Sequence, residues 1–378
     1  MSALKTEIKA LGQTVLVLQG GGALGAYQGG VYQALHEAGV DPDWIIGTSI
    51  GAINAAILAG NKVENRLDRL REFWSRVEQK DIFGVPSQWL GNMARNMHTI
   101  GMGLPSFFRP NLSAFLGPHV PLGAENAGYY SVDPLRQTLT DLIDFDVLSK
   151  GQTRLTVGAS SVRKSEMHYF DSRDMPLRLD HVLASGALPP AFPAVRIDGE
   201  LYWDGGILSN TPAEIVFDDN PRRNALVLAV HIWNPEGEEP DTMWQVMNRQ
   251  KDVQYSSRAT SQIKRQRQLH RMRHVITELG KLIPENVRKT AAVKELTAYG
   301  CITRMHVVRL LAPTLPNEDH LKDANFSPDG IKQRWEAGYR HTLETLEKAP
   351  WRAPVEATEG FILHDACGGK LMENAQPV

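Results

Sequence analysis

Only two cysteines, Cys301 and Cys367, occur in 378 residues, and neither belongs to a C-x-x-C pair. A disulfide framework is thereby excluded, and a reducing compartment is expected. No apolar stretch reaches the uninterrupted length that spans a bilayer, and no signal-peptide-like core precedes the first glycine run. A cytoplasmic protein is therefore expected, free to work peripherally at a membrane or polymer surface. With a net charge of -2 the chain lacks the basic excess that wholesale nucleic-acid binding requires. No metal is expected either, because His36-Glu37 is not followed by a second histidine at zinc-helix spacing. Internal repeats and low-complexity segments are absent. What is present, 42% hydrophobic residues, supplies enough material for a sizeable core.

Strand and helix patterns alternate at the start. The β-branched run "TVLVLQ" (residues 14–19) reads as a buried strand stopped by glycine, and residues 23–38 read as a helix ended by Gly39. "DWIIG" is a second strand, "IGAINAAILAG" a small-residue helix, and residues 63–79 carry apolar side chains at helical spacing. This order predicts a parallel sheet covered by helices. Residues 81–130, rich in Gly, Pro, Met and Phe, break the rhythm and read as a lid-like insertion. Strand patterns return in "TRLTVGASSV", "EMHYF", "ELYW", "NALVLAVHIW" and "RMHVVRLLAP", with a long helix from about Thr242 to Leu279. Ser327 with Pro328 marks the start of another helix, and the chain after Pro350 shows no period. The expected division is a tail over 1–12, a catalytic core over 13–235, a helical extension with a returning strand over 236–348, and a tail over 349–378.

Three motifs carry chemistry. Gly20, Gly22 and Gly25 fit G-x-G-x-x-G between a strand and a helix, the dinucleotide fingerprint. That reading needs an acidic residue at the far end of the second strand, but Asp41 and Asp43 precede the strand instead. The end of that strand carries Gly47-Thr48-Ser49-Ile50-Gly51, a G-x-S-x-G turn between strand and helix. Such a turn lifts a serine hydroxyl clear of the sheet and points a helix N-terminus at it. The Gly21 and Gly22 amides then have a second use, as donors to an oxyanion on the carbonyl that Ser49 attacks. A serine nucleophile also needs a base. His181, His231 and His306 lie near sheet elements without a context that marks them. Asp204 ends an apolar strand at the same sheet edge and is followed by Gly205-Gly206.

Together, Gly20-Gly21-Gly22-x-x-Gly25, Gly47-x-Ser49-x-Gly51 and Asp204-Gly205-Gly206 resemble the patatin-like phospholipases, as does "ASGALPPAFPAV" (residues 184–195). The resemblance implies a three-layer α/β/α fold with a mostly parallel central sheet and a cofactor-free serine hydrolase of lipid or lipid-like esters. It implies a Ser49–Asp204 dyad working through an acyl-enzyme, with the Gly20–Gly22 loop as oxyanion hole. A storage polyester of hydroxyacids is an alternative substrate with the same chemistry. The family often carries Arg or Lys where this chain has Leu24.

Two further stretches bear on substrate and surface. Phe107, Phe108, Phe115, Tyr129, Tyr130, Met97 and Met102 are candidates for an acyl-binding cleft. "QIKRQRQLHRMRHVITELGKL" (residues 262–282) combines Lys264, Arg265, Arg267, Arg271 and Arg273 with an apolar face (Leu269, Met272, Val275, Ile276, Leu279) and is a candidate for peripheral membrane or granule contact.

Overall fold

The computed structural model describes residues 2–79, 92–315, 318–356 and 359–365. Helix α1 (Ser2–Ala10) leads into β1 (Gln13–Leu18), then α2 (Ala26–Glu37), β2 (Trp44–Thr48), α3 (Ile50–Ala59) and α4 (Val63–Arg76). The predicted first long helix is in fact a 3₁₀ turn, Gly22–Gly25, followed by α2. Glycines at both ends of that turn make the tighter coil accessible.

After residues 80–91, which lie outside the described residues, come α5 (Asn92–Met102), β3 (Arg109–Pro110), β4 (Tyr130–Ser131), α6 (Asp133–Leu142) and α7 (Phe145–Ser149). β5 (Arg154–Ser161), β6 (Met167–Asp171), α8 (Leu179–Ser185), β7 (Val195–Ile197), β8 (Glu200–Asp204), α9 (Glu214–Asp218) and β9 (Ala225–His231) follow. The C-terminal part holds α10 (Met243–Leu282), α11 (Glu285–Arg288), α12 (Ala291–Thr297), β10 (Met305–Leu311), α13 (Pro328–Lys348) and β11 (Phe361–Asp365).

The cap read from sequence at Ser327 forms, and a second is found at Thr242. Ser327 Oγ accepts from Gly330 N at 3.2 Å at the start of α13. Thr242 and Gln245 close a reciprocal capping box on α10. Strand β11, in the stretch without period, is a departure. Five residues are too short to declare a pattern, and β11 is fixed by parallel pairing on β10.

The main sheet runs β11-β10-β9-β1-β2-β5-β8-β7, with β6 also on β5. Pairings from β11 through β5 are parallel. Apolar residues of both sheet faces are buried under helices, which makes the layers α/β/α.

Two strands break the parallel rule, and one of them shapes the site. β6 and β8 both run antiparallel to β5. Ala159 pairs with His168 of β6 and with Asp204 of β8, so β6 and β8 occupy opposite edges of β5. β2 holds the edge of β5 not taken by β6, up to Thr48 opposite Gly158. β2 and β8 therefore share one edge of β5 and meet head to head, Thr48–Ser49 against Asp204–Gly205.

The buried face of α10 differs from the one expected. Ile263, Gln266, His270 and His274 are buried, while Met272, Val275 and Leu279 face outward. His270 and His274 both donate from Nε2 to the Thr303 carbonyl at 2.8 Å, so hydrogen bonds in place of apolar contact hold this part of the helix. Arg267 pairs with Glu359 at 2.8 Å. Among the described residues, no helix is long and apolar enough to cross a membrane.

Candidate active site

Ser49 stands between the last residue of β2 and the first of α3, with φ 55° and ψ -125°. This backbone is strained for any L residue, and the turn is tight enough to admit only glycine on either side. A Cβ on Gly47 would lie 2.3 Å from the Gly51 carbonyl oxygen, and one on Gly51 would lie 2.2 Å from that of Leu18. The Ser49 N–H is held by the carbonyl and hydroxyl oxygens of Ser185, each at 3.1 Å. The side chain is left free to project from the end of α3, whose unpaired amides favour negative charge there. Ser49→Gly is expected to be more stable than Ser49→Ala by about 1 kcal/mol, because relief of positive φ exceeds the flexibility added to the unfolded chain. Guanidinium unfolding of the two variants checks this.

Asp204 is buried and lines the same cavity as Ser49, whose hydroxyl favours the ionised carboxyl. Asp204 Oδ1 accepts from Gly206 N at 2.7 Å. Burial pushes the carboxyl up to about 7, against the opposing pull of the Ser49 hydroxyl and the Gly206 N–H. The backbone is pinned as well, with Asp204 N donating to Ala187 O at 2.9 Å and Ser160 Oγ donating to Asp204 O at 3.0 Å. Gly205 then passes so near β5 that a Cβ there would sit 2.4 Å from the Gly158 oxygen. A larger residue would push the two strand ends apart.

The four loop glycines divide into two pairs. Gly20 is committed, since its N–H donates to Asn210 O, and its carbonyl accepts from Asn210 Nδ2 (3.0 Å) and Trp233 Nε1 (2.7 Å). Gly25 packs beneath Ile50, and its carbonyl accepts from Asn54 Nδ2. Gly21 and Gly22 are different: no described residue accepts from either N–H. Gly22 takes φ +54°, and a Cβ there would strike the Asp323 carbonyl oxygen at 2.3 Å. The segment just before α13 thus lies directly over the loop.

Sequence reasoning missed Asn210 and Trp233. The short distance from Asp204-Gly205-Gly206 to Asn210 was the available signal for the first; nothing local marks the second. Gln19 Oε1 accepts from Trp233 N at 3.1 Å, and the Trp233 ring lies between Tyr255, 4.9 Å between centroids, and the Lys322 ammonium. Lys322 is itself paired with Asp252 at 2.8 Å.

These groups open on an apolar cavity of about 220 Å³, lined at its floor by Ser49, Asp204, Gly21 and Gly22. Ile50, Ile53, Ile100, Phe107, Phe108 and Phe326 are among its walls. Of the aromatic and methionine residues expected in a cleft, Phe107, Phe108 and Tyr130 line it. Phe115, Tyr129, Met97 and Met102 do not; they are exposed on the outer surface of the insertion. The insertion folds partly inward and partly outward, a split that residue type alone does not encode.

No histidine is among the lining residues. His181 accepts from Arg178 N through Nδ1, and burial lowers its pKa to about 4. Asp43 Oδ2 accepts from Thr14 N at 2.8 Å, at the end of the sheet opposite the glycines, so the ribose contact of a dinucleotide fold has no acidic partner. Leu24 is buried and lines a separate crevice with Tyr27 and Ile232.

A mostly parallel sheet thus brings the serine turn, the buried aspartate and the free-amide loop to one edge, at a cavity that no histidine lines. A family model for patatin-like phospholipases matches residues 16–217, and a second, described as a patatin phospholipase, matches 253–358. The chain belongs to the patatin-like phospholipase family. Its curated relatives include an NTE family protein of Mycobacterium tuberculosis, 30% identical over 205 residues that cover 54% of this chain and 28% of the relative. Human patatin-like phospholipase domain-containing protein 6 is 31% identical over 205 residues, covering 54% of this chain and 12% of the relative. The chain thus spans less than a third of either relative. VipD from Legionella pneumophila is a structural neighbour at TM-score 0.40 and 18% identity, over 89% of this chain and 67% of that one.

Proposed function

We propose that the protein hydrolyses carboxylic esters of lipids or lipid-like molecules, with Ser49 as nucleophile and Asp204 as its base. The observation that supports this reading is the meeting of the Ser49 turn and the buried Asp204 at the floor of one apolar cavity.

As Ser49 Oγ attacks the ester carbonyl, its proton passes to Asp204. The carbonyl oxygen becomes an oxyanion and receives the Gly21 and Gly22 N–H groups. Collapse of the adduct expels the alcohol, which takes the proton from Asp204 and leaves an acyl-Ser49. Water then attacks the acyl carbon and gives its proton to Asp204. The second collapse releases the acid and returns the proton to Ser49. An aspartate near its usual pKa of about 3.9 is a weak base for a serine hydroxyl, and burial narrows that mismatch.

A fluorophosphonate probe tests the assignment. The adduct is expected on Ser49 and absent in Ser49→Ala; labelling elsewhere, or none, refutes the nucleophile. Trp233→Phe removes one of two donors to Gly20 O and loosens the peptide that presents the Gly21 N–H. It is expected to lower kcat about tenfold, the worth of one hydrogen bond, with KM unchanged. An equal rise in KM would instead mean that Trp233 contacts substrate.

A further inference from the structure

From Pro110 to Ala124 the insertion contains no Asp, Glu, Lys or Arg. In an ordinary surface loop such a stretch would fold its apolar side chains inward. Here Leu112 is 80% exposed and Phe115 and Leu116 are each 70% exposed, with Val120 and Tyr129 beside them in the chain also outward. The loop holds this shape through polar closure at its base. Asn111 N donates to Tyr129 O at 2.8 Å, its Nδ2 donates to Asn126 O and Gly128 O, and its Oδ1 accepts from Ser113 N. The charges that flank the stretch are neutralised, Arg109 by Asp133 at 2.8 Å and Glu125 by Arg196 at 3.0 Å. The result is a braced tip, free of Asp, Glu, Lys and Arg, with large apolar groups turned to water.

Its place in the fold is specific. The tip springs from the short β3–β4 ladder, in which Pro110 pairs with Tyr130. Tyr130 lines the cavity, and its ring meets Phe108 and Phe192, which line it too. The Tyr130 hydroxyl donates to Ile100 O at 2.7 Å, tying the same wall to α5. The exposed tip is therefore the outward continuation of the apolar wall above Ser49.

We propose that this tip, residues 111–124, inserts into the headgroup–acyl boundary of an uncharged (zwitterionic) lipid surface and seats the cavity mouth on it. The inference rests on the lipid-ester reading above and adds how the substrate is met: in an aggregated surface. Apolar side chains without a charged rim match hydrocarbon, which offers no partner for charge, whereas protein interfaces surround such a core with polar contacts. Tyr129, with its ring 6.2 Å from that of Phe115, supplies an aromatic group with one polar end at the depth where headgroups lie. Because the tip has no Asp, Glu, Lys or Arg, with His119 its one ionisable side chain, its attachment rests on apolar contact and not on salt-sensitive pairing.

The experiment uses the full chain, co-sedimented with dioleoylphosphatidylcholine vesicles at low and at high salt. In parallel, hydrolysis of soluble p-nitrophenyl butyrate is followed. Wild type is expected to bind at both salt concentrations. Phe115→Asp/Leu116→Asp, which alters two exposed residues outside the cavity, is expected to bind at least about tenfold more weakly while kcat/KM on the soluble ester stays unchanged. Three results would overturn the proposal. Wild type fails to bind, the double variant binds as wild type does, or high salt strips wild type from the vesicles, which would assign attachment to the basic stretch of α10. A wild type that leaves the soluble ester intact refutes the hydrolase reading instead, and vesicle binding still decides the role of the tip.

Discussion

Ser49→Ala is expected to reduce ester hydrolysis by at least about 10⁴-fold, the loss that follows removal of a nucleophile whose partners cannot act without it. The variant keeps every backbone contact that forms the turn, since Ser49 N still meets Ser185 and the Ser49 carbonyl still receives Ala52 and Ile53. Its stability should therefore stay near wild type, and the loss should lie in kcat. What remains would come from the Gly21 and Gly22 amides, which still polarise a bound carbonyl toward attack by water. Stopped assays with a p-nitrophenyl ester, run beside circular dichroism, separate the two effects. A variant that is folded and retains a tenth of its activity would remove Ser49 from the reaction.

Asp204→Asn is expected to lower kcat by about 10³-fold, within the range of general-base contributions. Asn keeps an oxygen for the Gly206 N–H but cannot take the Ser49 proton. In the wild type the base must be ionised, so kcat/KM should fall tenfold per pH unit below about 7, where burial has moved the carboxyl. The same shift couples to stability. A carboxyl raised from 3.8 to about 7 holds its proton in the folded state after the unfolded chain has released it. The stability this gives is complete below pH 4 and is lost as pH rises through 7, leaving a buried charge that costs about 4 kcal/mol. Asp204→Asn carries no such charge. It should be the more stable protein at pH 8, with the difference narrowing toward pH 4 in guanidinium unfolding. Equal curves at both pH values would show that Asp204 is not a buried charge in the folded protein.

Much of this was legible because local sequence and global fold agree at the motifs. The strand before Ser49, the small-residue helix after it and the glycines at 47 and 51 each announce the same turn. Gly20, Gly21 and Gly22 follow an unmistakable buried strand. The approach of Asp204 was not legible in the same way. An apolar strand ending in Asp-Gly-Gly says nothing about direction, and β8 reaches the edge by running against β5 where a further parallel strand would have run with it. Trp233 was invisible because its partner, the Gly20 carbonyl, is 213 residues away in the chain. The insertion misled for another reason. Phe107 and Phe115 are the same residue type in the same stretch, yet one faces the cavity and the other the solvent. Only the β3–β4 pairing, a long-range contact, decides which is which.

The carbonyl of Asp323 lies against Gly22, and Lys322 of the same turn steadies Trp233. Those two residues belong to the second of the two matched segments, whereas Ser49 and Asp204 belong to the first. The proposed reaction centre thus straddles a seam. Exchanging the C-terminal half for one with a different packing would disturb the amides at Gly21 and Gly22 even with Ser49 and Asp204 in place, so the two segments are not interchangeable cassettes.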